Sequence, residues 1–201
     1  MKKIILDLCG GTGSWSKPYK DNGYHVINIT LPDYDITQTE LRPQYNDMIF
    51  KGEGKDLVCG DIYGILAAPP CTEFSLAKND RPRNFTSGLI IVRACLEIVW
   101  HCRIAGELKW WGLENPRCFL RQFLGKPAFT FEHWEFGDKG IKPTDIWGYF
   151  NKPRKLVKKK PEGLSQRFPN KRINAIGWSK SATKRAITPP SFAQAFFEAN
   201  R

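Results

Sequence analysis

The 201-residue sequence lacks the features that define several large protein classes. It has no continuous apolar run near 18 residues, so no membrane-spanning helix is expected. The apolar run after Met1-Lys2-Lys3 is only about five residues long and leads into glycines, which does not fit a signal peptide. Its six cysteines, at positions 9, 59, 71, 95, 102 and 118, form no CxxC pair and no zinc spacing. Free thiols in a reducing cytoplasm are therefore expected, with no metal site. There is no GxGxxG and no GK[ST], which argues against a dinucleotide or a triphosphate ligand. No internal repeat is present, and residues 1–150 carry no net charge, with 18 basic and 18 acidic side chains.

The charge lies instead in the last quarter. Residues 151–201 hold 13 basic and 2 acidic side chains, so the whole +11 excess sits there. Such one-sided charge is the footprint of a polyanion partner, although the Lys158-Lys159-Lys160 run alone reads as a solvated loop. With 41% hydrophobic residues, the chain can bury one α/β core and a small appendage.

Short apolar runs alternate with helical patterns. Residues 4–8 read as a buried strand, 16–22 as a helix, 25–31 as a second strand, and 56–59, 65–68 and 110–114 as further strands. The spacing of Leu89, Val92, Leu96, Val99 and Trp100 predicts a helix over 87–105 capped by Ser87. Residues 79–86 read as a polar loop long enough to move, 128–136 as a half-exposed alternating segment, and Pro189-Pro190 as the start of a last helix. This alternation predicts a mostly parallel sheet flanked by helices, with ligands at the carboxyl ends of the strands.

Three motifs fall at such ends. In Leu6-Asp7-Leu8-Cys9-Gly10-Gly11-Thr12-Gly13-Ser14-Trp15 a strand runs into a glycine-rich turn, where the backbone can approach a ligand closely. The same residues would also make a plain strand–helix connection. Pro69-Pro70-Cys71-Thr72-Glu73-Phe74-Ser75 places a thiol in a stiffened frame, as a nucleophile requires, though a buried structural cysteine fits equally. Glu114-Asn115-Pro116 follows an apolar strand. Glu114 can bond a substrate ring and shuttle a proton, while Asn115 and Pro116 can equally begin a helix.

Together, in this order and spacing, the motifs resemble those of the DNA (cytosine-5)-methyltransferases. The resemblance covers most of residues 1–150 and 186–199. It implies the Rossmann-like S-adenosylmethionine-dependent methyltransferase fold. It also implies a cofactor site at Asp7, Leu8, Cys9, Gly10, Gly11, Thr12, Gly13, Trp15, Asp61, Ile62 and Pro69, with Trp15 packing on the cofactor and Asp61 on its adenine. Cys71 becomes the nucleophile and Glu114 its acid–base partner, with Pro70, Asn115 and Lys142 beside them. Thr188 to Ala193 resembles the family's last motif, which closes the cofactor site.

Three departures accompany the match. Thr30 stands where the family has the acid that grips the ribose, with Asp33 or Asp35 as substitutes. The glutamine–arginine motif is absent in its usual form, and Lys142 is the candidate replacement. Only a basic segment of about forty residues, roughly 145–185, stands in place of a large target-recognition domain.

The resulting division is a catalytic core over 1–150, a short basic DNA-binding insertion over 151–185, and a returning C-terminal helix over 186–201. Lys152, Arg154, Lys155, Lys158, Lys159, Lys160, Arg167, Lys171, Arg172, Lys180 and Arg185 are its candidate contacts to DNA, double- or single-stranded. The expected activity is methyl transfer from S-adenosylmethionine to cytosine carbon 5 on a flipped base, through a cysteine adduct. The alternatives are transfer of a different or larger group, and an inactive methyltransferase-like DNA-binding protein. No membrane partner is expected, and the oligomeric state stays open between monomer and weak dimer. A compact enzyme of this kind fits a virus or mobile element acting in a host cytoplasm.

Overall fold

The computed structural model describes residues 3–50, 55–76, 78, 81–106, 108–138, 141–162 and 186–201. A six-stranded sheet forms its centre. Strands β1 (Ile4–Leu8), β2 (His25–Ile29), β6 (Ile62–Ala67), β7 (Trp110–Pro116), β8 (Phe129–Phe131) and β9 (Thr144–Tyr149) lie in the order β2-β1-β6-β7-β9-β8. The first four run parallel, and β9 is antiparallel to both β7 and β8.

Side-chain alternation along these strands fills two cores. Leu6 and Leu8 of β1, Ile65 and Ala67 of β6, and Leu113 of β7 pack with Val92, Cys95, Ile98, Val99 and Cys102. Those five lie on one face of α2 (Phe85–Ile104), a 20-residue helix with the length and apolar content of a membrane span but packed against the sheet. On the other face, Ile5, Leu66 and Trp110 pack with Tyr19 of α1 (Lys17–Asp21) and with Phe192, Phe196 and Phe197 of α4 (Pro190–Ala199). A short α3 (Arg121–Leu124) lies between β7 and β8. The protein is thus an α/β fold with a mixed, mostly parallel sheet covered by helices on both faces.

Several sequence expectations change. The run at 56–59 does not join the main sheet. Strands β3 (Glu40–Arg42), β4 (Asp47–Phe50) and β5 (Lys55–Val58) make a separate antiparallel sheet, in which Arg42 clamps Asp47 through Nε and Nη2 at 2.8 and 2.6 Å. The cap of α2 is Asn84, whose side chain accepts from the Ser87 N–H at 3.0 Å, so the helix begins at Phe85 rather than at Ser87. Residues 128–136 divide into β8 and a single 3₁₀ turn, His133–Phe136. Pro190 occupies the first turn of α4, as the Pro-Pro pair predicts.

Candidate active site

The winding places a crevice at the motifs. From β1 the chain passes through α1 to β2 on one side, and from β6 it passes through α2 to β7 on the other. Adjacent parallel strands whose connections leave in opposite directions open a crevice at their carboxyl ends. The glycine turn follows β1, the Pro-Pro-Cys segment follows β6, and Glu114 and Asn115 lie near the end of β7. A backbone bond joins the first two, Ala68 N–H donating to Leu8 O at 2.9 Å, while Cys9 N–H donates to Ile29 O at 2.7 Å and ties the turn to the end of β2.

A buried carboxylate organises the glycine turn. Asp7 is wholly inaccessible and accepts a bond from the Ser16 hydroxyl at 2.5 Å, while its Oδ1 has no partner among the described residues. Burial pushes its carboxyl up to about 6, against the opposing effect of the Ser16 bond. Gly10 lies directly on this carboxylate, since a Cβ there would stand 2.3 Å from Asp7 Cγ. Cys9, Gly11 and Gly13 take left-handed backbone at φ +56°, +54° and +68°. Gly11 and Thr12 are exposed, so the crest of the turn presents its backbone outward. Asn28 and Thr30 brace it from β2 and just beyond: Asn28 Nδ2 donates to Gly11 O at 3.0 Å, and Gly11 N–H donates to Thr30 Oγ1 at 3.3 Å. From the far end of the chain, Thr188 N–H donates to Ser14 Oγ at 3.1 Å.

The Pro-Pro-Cys and Glu-Asn-Pro segments are joined through Asn115. Its buried Nδ2 donates to Pro69 O at 2.9 Å. Cys71 is half-buried, and its carbonyl accepts from the N–H groups of Phe74 and Ser75 at 3.0 and 2.8 Å, so the chain turns directly after the thiol. Pro70 beside it is exposed. Lys142 precedes β9, whose Thr144 pairs with Pro116, and its Nζ lies 3.8 Å from Glu114 Oε1. Burial raises the Glu114 pKa, and the Lys142 ammonium opposes that rise. Below them, the buried Asp145 holds the Arg121 guanidinium with two bonds of 2.5 and 2.6 Å and accepts from Thr130 Oγ1 at 2.7 Å.

Several expected site residues lie elsewhere or do other work. Asp61 and Ile62 are at the opposite end of the sheet: Ile62 pairs with Ile4 at the start of β1, so β6 separates them from Cys71 by roughly 20 Å. Trp15 is 2% exposed and packs on Phe196 and Phe192 in the core, which leaves no open ring face for a cofactor. Asn115 lies within β7 and caps no helix. Asp35 is committed to the Thr37 N–H and hydroxyl at 2.9 and 2.7 Å, while Asp33 is exposed.

The loop after Cys71 is tied down where it is described. Glu73 accepts from Lys78 Nζ with both oxygens at 2.6 Å and from the Asn84 N–H at 2.6 Å, while Arg83 donates to Glu73 O at 2.9 Å. These bonds, the Lys78 ammonium first, lower the Glu73 pKa. In the basic segment, Lys152, Arg154, Lys158, Lys159 and Lys160 are exposed. Lys155 is held by Glu135 at 2.8 Å and lies over the Phe129 ring, so it supports the fold rather than standing ready for phosphate. Arg167, Lys171, Arg172, Lys180 and Arg185 lie outside the described residues. A cavity of about 410 Å³ between Arg117, Trp134, Pro143 and Lys160 borders this segment. A groove of about 930 Å³ lies away from the crevice, along α2.

Ser16, Asn28, Glu73 and the Arg121–Asp145 pair are the site residues that sequence reasoning missed. Glu73 lies inside the Pro-Pro-Cys motif and Ser16 directly follows the glycine-turn motif, so both carry a local signal. Arg121 and Asp145 meet across the fold, and no local pattern marks them. Comparison with protein-family models gives no match to the chain, and comparison with curated proteins gives none either.

Proposed function

We propose that the chain is an S-adenosylmethionine-dependent DNA (cytosine-5)-methyltransferase with Cys71 as nucleophile and Glu114 as its acid–base partner. The observation that carries this reading is the Asn115–Pro69 hydrogen bond of 2.9 Å, which locks the Pro-Pro-Cys end of β6 to the Glu-Asn-Pro end of β7 beside the glycine turn. The finer fold assignment, a Rossmann-like methyltransferase core, rests on the same convergence.

The glycine turn suits a cofactor: it carries no side chain at the exposed Gly11 or the half-buried Gly13, and Gly10 gives the backbone its close seat on Asp7. Backbone groups of residues 9–13 and Pro69 would hold the cofactor, with Asp7 acting from beneath through the turn. The cofactor, when bound, supplies the methyl group for carbon 5.

The chain's own groups then do the following. Cys71 thiolate forms a bond to cytosine carbon 6, and the displaced electron pair moves onto the ring. Glu114, its proton favoured by burial, donates to the ring nitrogen and stabilises that charge. Lys142, with its Nζ 3.8 Å from Glu114 Oε1, would supply the cation for the ring's carbonyl oxygen. After transfer, the carbon 5 proton passes to water, the carbon 5–carbon 6 double bond re-forms as the thiolate leaves, and the ring nitrogen returns its proton to Glu114. The exposed lysines and arginines from Lys152 to Lys160 offset base flipping through phosphate contacts.

A second reading changes the group transferred. It is favoured by Thr30, whose hydroxyl is engaged by the Gly11 N–H where the family places a ribose-binding acid.

Mass spectrometry of nucleosides from DNA incubated with the protein and S-adenosylmethionine tests both. 5-Methylcytosine formed by the wild type and absent with Cys71→Ala is the expected result. A folded protein that modifies neither duplex nor single-stranded DNA refutes the first reading, and a heavier cytosine adduct with another donor supports the second.

A further inference from the structure

Helix α2 turns a second face outward. Thr86, Ile90, Arg93, Glu97, Trp100 and Ile104 recur every three or four residues, so they form one stripe, opposite the core face of Val92, Cys95 and Cys102. Ile90, Trp100 and Ile104 are 53%, 63% and 70% exposed, an unusual display for three large apolar side chains on one helix. The groove of about 930 Å³ runs along this face, with Leu41 and Pro43 from the small sheet and Phe123 from α3 adding apolar lining. At the middle of the stripe stands an exposed ion pair, Arg93 Nε to Glu97 Oε1 at 2.9 Å.

The order along the stripe is apolar, positive, negative, apolar. Read backwards, the signs exchange. Two copies of α2 laid antiparallel about a two-fold axis level with Cys95 therefore set Arg93 of each against Glu97 of the other. The same operation sets Ile90 against Trp100 and Thr86 against Ile104. We propose that this face is the contact through which two copies of the chain form an isologous dimer. The stripe carries no net charge, which suits a second copy and not a nucleic acid. The dimer leaves the strand ends open, because α2 covers a face of the sheet and the candidate site lies at its edge.

Charge exchange tests the pairing in the full-length chain by sedimentation velocity across the micromolar range. The wild type is expected to show a concentration-dependent monomer–dimer equilibrium. Arg93→Glu makes the stripe doubly negative and Glu97→Arg makes it doubly positive, so each alone is expected to weaken self-association by about tenfold or more. An equimolar mixture of the two variants is expected to form a heterodimer, and the double exchange R93E/E97R to recover self-association. Recovery in the mixture also shows that both variants are folded. A wild type that stays monomeric throughout overturns the proposal. So does a dimer whose strength is indifferent to both single exchanges, since it then uses another face.

Discussion

Asp7→Asn isolates the buried carboxylate under the glycine turn. The native carboxyl is raised to about 6 by burial, against an ordinary value of 3.8. Between those two values the native state holds a proton that the unfolded state has lost. Stability therefore falls as pH rises through this window, and is level below and above it. A shift of about two units corresponds to roughly 3 kcal/mol. The wild-type profile alone does not reveal this. His133, half-buried and lowered by desolvation to about 3 from 6.5, is neutral in the native state where the unfolded state is protonated, so it makes stability rise with pH over an overlapping range. The difference between proteins removes His133 and every other shared group. Asparagine has the same shape and keeps an oxygen for the Ser16 hydroxyl. Urea unfolding of wild type and Asp7→Asn from pH 4 to pH 7, with equal m-values, is the assay. The variant should gain roughly 2.4 kcal/mol on the wild type across that range, the rest of the effect lying below pH 4. A difference that does not change with pH would show that Asp7 titrates like a solvated carboxyl, and the account of the turn would fail.

Two neighbouring glycines give a paired test. Gly11→Ala meets no atom of the described residues within 4 Å and costs the left-handed backbone, about 1 kcal/mol. Gly10→Ala drives a methyl group into Asp7 at 2.3 Å and should cost about 2–3 kcal/mol, and equal losses by thermal unfolding would contradict the geometry. Lys142→Met removes the cation that restrains Glu114, so the Glu114 pKa rises further. If Glu114 acts as proton donor, the alkaline limb of the pH–rate profile for DNA modification moves to higher pH, and an unmoved limb would remove Lys142 from the site.

The strands that carry the motifs were legible because burial and turn chemistry agree there. Ile4–Leu8 and the 65–68 run are apolar because helices cover both faces of the sheet, and each gives way to glycine or proline at the site, although the second strand starts three residues earlier, at Ile62. The small sheet was not legible. Its strands are three or four residues long and are defined by pairing with each other, with Arg42 and Asp47 joined across it. The α2 cap went to Asn84 because Glu73, eleven positions earlier, fixes the Asn84 N–H. Trp15 looked like a cofactor platform, yet Phe192 and Phe196 from the other end of the chain take its ring.

Asp61 shows why motif order alone misplaces a residue. In chain order it stands between the glycine turn and Cys71, as a cofactor contact would. The chain, however, first builds the small sheet from β3, β4 and β5 and enters β6 directly after Asp61. A residue before a parallel strand lies at its amino end, and ligands collect at the carboxyl end. The same rule explains the motifs that do converge. The glycine turn and Cys71 each follow their strand, and Glu114 lies near the end of its own. Lys142 precedes β9, but β9 runs antiparallel, so its beginning lies at the same edge. Strand direction, which no single motif encodes, decides that Lys142 faces Glu114 while Asp61 is turned away.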